Sequence, residues 1–248
     1  MFEMFENEKI SEQGCVMENT RRQEILGILY EKGRASVREL SRTLFVSEMT
    51  VRRDLAELER EGYLKRYRGG AVLKTDSREL PIDARLLVDE AEKKELCARC
   101  EVFLKDGMTV FLDSSSTCLY IIPYLAKRKN ILMVTNSVKA LQNASALHIP
   151  TVLIGGEYYA QDMCLVGSIA EQYASELNID VAFMTTAALG SDGVISDFDL
   201  RQTAVRRIVM KNAQACVFLF ERSKRGKKLT YTLCHRDNAT AVIVLDEE

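Results

Sequence analysis

Several things are scarce in this sequence, and each scarcity removes a class of protein. No apolar run approaches the ~18 residues that a membrane-spanning helix needs, because charges interrupt every one. The first segment, MFEMFENEKISEQ, is acidic and has no apolar core, so no secretory signal is expected there and a cytoplasmic protein is. Histidine is nearly missing. Only His148 and His235 occur, which argues against a histidine-rich metal enzyme. Neither has a Ser or Asp neighbour in a nucleophile motif, so no catalytic residue is assigned. Seven cysteines, an odd number without a framework, fit reduced thiols. Cys97-Ala98-Arg99-Cys100 has C-x-x-C spacing but lies in a Lys/Glu-rich helical stretch with no second pair at zinc spacing. Cys234-His235 is isolated, so no metal and no cofactor are expected. Internal repeats and low-complexity tracts are missing too.

What is present is apolar material for a core and an uneven charge. The 248 residues are 47% hydrophobic and 28% charged, enough for one or two globular domains. Residues 20–74 hold 13 Lys+Arg against 8 Asp+Glu, residues 1–19 hold 1 against 5, and residues 75–248 hold 20 against 23. A small basic block on an acidic chain suits a protein of which one part meets nucleic acid. The expected organisation is a disordered extension over 1–19, with Met17 as an alternative start, and a DNA-binding domain over 20–73. A polar, proline-containing linker over 74–89 and a larger domain over 90–248 complete the chain.

In the basic block, Ile25, Ile28 and Leu29 share a face of a first helix that ends near Gly33. Ser36 and Glu39 form a capping-box pattern opening a second helix, with Val37, Leu40 and Leu44 on its buried face. Ser47 is the expected N-cap of a third helix running to about Glu61, in which Val51, Leu55 and Leu58 make one apolar stripe. The turn Phe45-Val46-Ser47 makes helices two and three a helix-turn-helix, with the third entering the major groove. After Gly62, YLKRYRGGAVL reads as a hairpin or wing. Its Lys65, Arg66 and Arg68 can neutralise phosphates, and Gly69 and Gly70 allow close backbone approach to DNA.

The run from Arg21 to Leu73, with VSEMTVRRDL and the R-x-x-GGA of the wing, closely resembles the DeoR family of bacterial transcriptional regulators. The slot where that family often has His is Arg68 here. The resemblance implies DNA contact from Ser47, Thr50, Arg52 and Arg53. Ser36 and Met49, at and near the helix starts, complete the candidates with the wing residues. The spacing equally allows one of the two arginines to pair with Asp54 or Glu57 instead.

In the larger block, six apolar runs read as buried strands: 109–113, 131–135, 151–156, 181–186, 215–220 and 241–246. Helical stretches lie between most of them, so the expected class is α/β: a winged helix-turn-helix followed by a Rossmann-like, mostly parallel sheet. The first strand runs into Ser114-Ser115-Ser116-Thr117 and then CLYIIPYL, read as a helix whose start suits phosphate. The next ends in Thr135-Asn136-Ser137 and the third in Gly155-Gly156. Polar strand ends on one rim are where open α/β sheets bind ligands, although Ser, Thr and Asn also cap helices in any such protein.

This block also resembles the DeoR-type sensor domain, which is similar to ribose-5-phosphate isomerase. The resemblance implies a phosphorylated sugar as effector, with Asp113 accepting sugar hydroxyls and Ser114, Ser116 and Thr117 holding phosphate. Thr135, Asn136, Gly155, Gly156 and Gly167 complete the motif. Five positions depart from it, Thr203 in place of the helix motif's Ala among them. The loop glycine is Ser115, the helix motif's Glu is Gln202 and its Lys is Arg206, and Asp-x-Ser-Lys is here Glu221-Arg222-Ser223-Lys224. The expected protein is a repressor of a carbohydrate operon, released from DNA by a sugar phosphate and at least a dimer, with no membrane contact. The departures leave open a ligand-blind regulator whose second domain only assembles. Less favoured is an isomerase-type enzyme with Asp113 or Glu221 as base. Tyr158, Tyr159 and Met163 read as a pocket lip or as core, and the basic run 222–228 as a solvated loop, or as a contact to a second subunit's acidic 151–200 segment or to a phosphate.

Overall fold

The structure is a computed structural model, and it describes residues 21–30, 32–73 and 80–245. The chain divides into two compact units, 1–88 and 89–248. The expected extension over 1–19 lies outside the described residues, as do residues 74–79.

The first unit contains helix α1 (21–30), β1 (Arg34–Ser36), α2 (Val37–Thr43), α3 (Glu48–Arg60), β2 (Leu64–Tyr67), β3 (Gly70–Leu73) and α4 (Ile82–Leu87). Ser36 closes the capping box with Glu39, and Ser47 caps α3 by accepting from Thr50 N at 3.1 Å. The stripe Val51, Leu55 and Leu58 is buried against Ile25, Leu26, Leu29 and Leu40. Helix α3 therefore presents its other side to solvent. Strands β2 and β3 form the expected hairpin, closed by Arg68 and Gly69 between the Tyr67–Gly70 pair. A third strand, β1, was not legible in Arg-Ala-Ser. It pairs with β3 and sets Ser36 opposite Gly70. A Cβ on Gly70 would lie 2.4 Å from Ala35 O, so only glycine permits this approach.

The stretch expected as linker is tied down over its second half. Leu80, Ala84 and Val88 join the first unit's core, and α4 packs beside α1 where Gly27 leaves room for Leu87. Apolar residues at this spacing form a one-sided helix, and burying them outweighs the polarity of their neighbours.

The second unit begins with α5 (Glu90–Ala98). One six-stranded sheet follows in the order β14-β12-β9-β4-β5-β6, every described pair parallel. Its strands are β4 (Thr109–Leu112), β5 (Leu132–Thr135), β6 (Thr151–Leu153), β9 (Ile179–Met184), β12 (Ala213–Phe220) and β14 (Ala241–Val244). All six expected runs supply them. Between them lie α6 (Ile122–Leu125), α7 (Val138–Ala146), α8 (Ser168–Ser175) and α9 (Leu200–Asn212). Helices α8 and α9 cover one face over Phe111, Ala182, Phe218 and Phe220. Two small antiparallel sheets escaped the sequence reading: β7 (Glu157–Tyr159) with β8 (Cys164–Val166), and β10 (Ala188–Leu189), β11 (Val194–Asp197) and β13 (Tyr231–His235).

From β4 the chain lays β5 and β6 to one side, then returns to lay β9, β12 and β14 on the other. The direction of winding reverses between β4 and β9, which opens a crevice at their carboxyl ends.

Candidate nucleic-acid interface and anion site

The start of α3 and the hairpin carry a cluster of exposed basic residues. Ser47, Met49, Arg52, Arg53, Lys65, Arg66 and Arg68 are exposed, and Thr50 is half-buried. Ser36 is also half-buried, with its hydroxyl committed to the start of α2. Gly69 is exposed, whereas Gly70 is buried against β1. Asp54 is not available to its helix neighbours. Fully buried, it accepts from Arg21 of α1 at 2.5 and 3.0 Å. Arg52 turns back to Glu48 at 3.1 Å, and Arg60 pairs with Glu57. The Arg66 guanidinium meets Glu59 of α3 at 2.6 Å, its N–H donates to the same carboxylate at 2.8 Å, and these bonds hold Glu59 below the usual carboxylate range. The wing is thereby fastened to α3. Between them lies a cavity of about 240 Å3 lined by Arg52, Leu55, Glu59, Arg66 and Tyr67. Arg21 and Glu59 were missed because their roles depend on partners distant in sequence.

In the second unit the crevice between β4 and β9 holds the expected loop. Asp113 is buried, and both of its oxygens are engaged. Oδ1 accepts from Ser115 N at 3.0 Å, and Oδ2 accepts from Thr185 N at 2.9 Å and Arg206 Nε at 3.2 Å. Asp113 therefore shapes the loop and neutralises Arg206. Arg206 also donates to Asp197 at 3.0 Å and to Gln202 Oε1 at 3.2 Å. Burial works against its charge, but Asp113 and Asp197 overcome that and keep it protonated. Gln202 accepts from Ser114 Oγ at 3.2 Å and donates to Asp162. The amide that replaces an acid here can do both, which a carboxylate could not. Asp162 and Asp197 carried no sequence signal as site residues.

Ser114, Ser115, Ser116 and Thr117 are all buried. Ser115 Oγ accepts from Cys118 N at 3.1 Å, so the serine in place of glycine ties its own turn to the next one. Among the described residues the N–H groups of Ser114, Ser116 and Thr117 meet no acceptor, and the Ser116 hydroxyl meets no partner. The expected helix after them is instead a 3-10 turn, Cys118–Ile121, followed by the single turn of α6. So short a segment carries little dipole, and any anion must be held by N–H and hydroxyl groups. Thr117 Oγ1 donates to Glu221, whose Oε2 lies 2.7 Å from Lys224 Nζ. Lys224 also donates to Thr185 at 3.2 Å. Burial opposes ionisation of Glu221, yet Lys224 and Lys93 more than offset it and hold its carboxyl at about 2.

The remaining candidates are placed by packing. Thr135 and Asn136 are buried at the end of β5, where Thr135 donates to Leu112 O at 2.7 Å and Asn136 to Leu165 O at 3.0 Å. Gly155 is exposed, while a Cβ on Gly156 would meet Val166 O at 2.6 Å, so Gly156 admits β8. Gly167 precedes α8 with φ of 89°. Tyr159 stacks under Arg201, and Tyr158 is exposed. Within the basic run, Lys228 pairs with Asp192 of its own chain at 2.9 Å. Cys97 and Cys100 are buried, which pushes both thiols up, Cys100 to about 12.

Known proteins share both units. Residues 21–77 match the model of the DeoR-like helix-turn-helix domain, and residues 88–246 match that of the DeoR C terminal sensor domain. The chain is 27% identical to the HTH-type transcriptional regulator GolR of Listeria innocua, over 90% of this chain and 89% of that one. It is 26% identical to the glycerol-3-phosphate regulon repressor of Escherichia coli, over 85% and 84%. Among solved structures, ribose 5-phosphate isomerase A of Methanocaldococcus jannaschii aligns with a TM-score of 0.41 and 21% identity, over 55% of each chain.

Proposed function

Because this chain belongs to the DeoR family of DNA-binding transcriptional regulators, we propose that it is a cytoplasmic repressor that a phosphorylated sugar or polyol releases from operator DNA. The residues of DNA contact are Ser47, Met49, Thr50, Arg52 and Arg53 of α3 and Lys65, Arg66, Arg68 and Gly69 of the wing. Ser36 and Gly70 set the geometry of that surface. Arginine forks read guanine edges, and lysines neutralise phosphate. Operators with paired half-sites call for at least a dimer.

The observation that carries the effector reading is the loop 114–117 at the winding reversal, where three buried N–H groups lack acceptors among the described residues and Lys224 stands one carboxylate away. Such a nest takes a phosphate monoester. The name of the glycerol-3-phosphate regulon repressor supports a small phosphorylated polyol or sugar. Asp113 accepts three hydrogen bonds, one of them from the Arg206 guanidinium, which supports a positioning role for it in a sensor without turnover.

The test is a thermal-shift screen of the full chain against matched phosphorylated and free sugars. A ligand at about 100 times its Kd adds ~2.7 kcal/mol. A shift with one sugar phosphate and none with its free sugar supports the reading, and dose-dependent release from a duplex selected from a randomised pool completes it. The interlocked Asp113–Arg206–Asp197 cluster favours a second reading, a ligand-blind regulator, which a flat screen together with retained DNA binding would support.

A further inference from the structure

Glu221 is a buried acid of the second unit whose ion-pair partner, Lys224, flanks the 114–117 loop. Its carboxylate accepts from Thr117 Oγ1, lies 2.7 Å from Lys224 Nζ, and is stabilised by the buried Lys93 of α5. The first two are the hydroxyl and ammonium through which the 114–117 loop would hold a phosphate. Resting on that reading, we propose that Glu221 is the site's own anion: its carboxylate occupies the place of a phosphate oxygen, and an incoming phosphate monoester displaces it toward Lys93.

The chemistry of the two anions supports the exchange. Carboxylate and phosphate accept the same charge-assisted bonds from a hydroxyl and an ammonium, so they compete for one pair of donors. Two anions cannot share them, since like charges at that distance repel strongly in a buried setting. A phosphate gains further donors that Glu221 does not reach, the N–H groups of Ser114, Ser116 and Thr117 and the hydroxyl of Ser116. Displaced, Glu221 keeps Lys93 as counter-charge. Its neighbour Arg222 donates its N–H to Glu92 of the same helix at 2.8 Å, and Cys97 donates to Thr117 O at 3.2 Å. Movement of Glu221 is therefore felt along α5. The resident acid sets a threshold: only anions that outcompete it occupy the loop.

The experiment titrates inorganic phosphate into the full chain at constant ionic strength, reading Kd by calorimetry and amide exchange over 89–98. Wild type is compared with Glu221→Gln, Glu221→Asp and Ser116→Glu. The expected result is binding tighter by about ten-fold or more in Glu221→Gln. Glu221→Asp, one methylene shorter, gains less, and Ser116→Glu abolishes binding. Phosphate changes exchange over 89–98 in the wild type and not in Glu221→Gln. If Ser116→Glu abolishes binding but neither Glu221 variant tightens it, the resident-anion proposal fails and the phosphate loop stands. If the Glu221 variants bind more weakly, Glu221 is a ligand residue and the proposal fails. If phosphate binds no variant and not the wild type, the loop reading and the proposal fail together. Should Glu221→Gln not fold, Glu221→Asp decides by the same signs.

Discussion

The two units treat charge in opposite ways. In the DNA-binding unit the arginines and lysines of α3 and the wing stand at the surface, and the pairs Arg52–Glu48 and Arg66–Glu59 lie there too. At the crevice of the sensor unit charged groups are buried and interlocked, with Arg206 between Asp113 and Asp197, and Glu221 between Thr117 and the half-buried Lys224. The difference teaches where function is separable from stability. A surface arginine can change without unsettling the fold, while a buried ion network holds ligand geometry and fold together.

The contrast is sharpest at Arg206. Replacing it with Met leaves Asp113 and Asp197 buried without their cation, and stability should fall by about 3–5 kcal/mol, read as a shifted or lost urea midpoint. An effect below about 1 kcal/mol, the size of an exposed pair, would break the contrast. Acid titration probes the same network through Glu221. Its carboxyl is lowered to about 2 in the folded state from an ordinary 4.5, so its contribution is complete above pH ~4.5 and is lost as pH falls toward 2. Glu221→Gln should flatten that part of the pH–stability curve.

The first unit also has an element of the buried kind, Asp54 beneath Arg21. Asp54→Asn should cost roughly 2 kcal/mol by weakening a charged, buried pair, without change at the exposed surface. Arg53→Ala should lower affinity for the selected duplex about ten-fold at fixed salt, and unchanged affinity would remove α3 from the interface. The smallest effect is expected at Ser47→Ala, about 1 kcal/mol from the lost N-cap, seen as a small shift in Tm.

Much of this was legible in the sequence because local chemistry announces itself. Ser36 with Glu39, Ser47 before α3, and the Val51–Leu55–Leu58 stripe each need only a few residues of context. The six sheet strands likewise showed as apolar runs. What escaped depends on partners far away. Strand β1 is three ordinary residues made a strand by Gly70, and β10, β11 and β13 are short segments that only their mutual pairing defines. Helix α4 was obscured because Leu80, Ile82 and Ala84 sit among polar neighbours.

The sequence by itself therefore determined the two-unit order, the helix-turn-helix with its wing, the parallel sheet and the loop 113–117, because caps, periodicity and turn chemistry act over a single turn or strand. Only tertiary structure decided what those residues do to each other. The chain brings Arg206 to Asp113 across 93 positions and Thr117 to Glu221 across 104. Pairings of that kind arise from the winding of the sheet, which sets strand ends from both halves of the unit around one crevice.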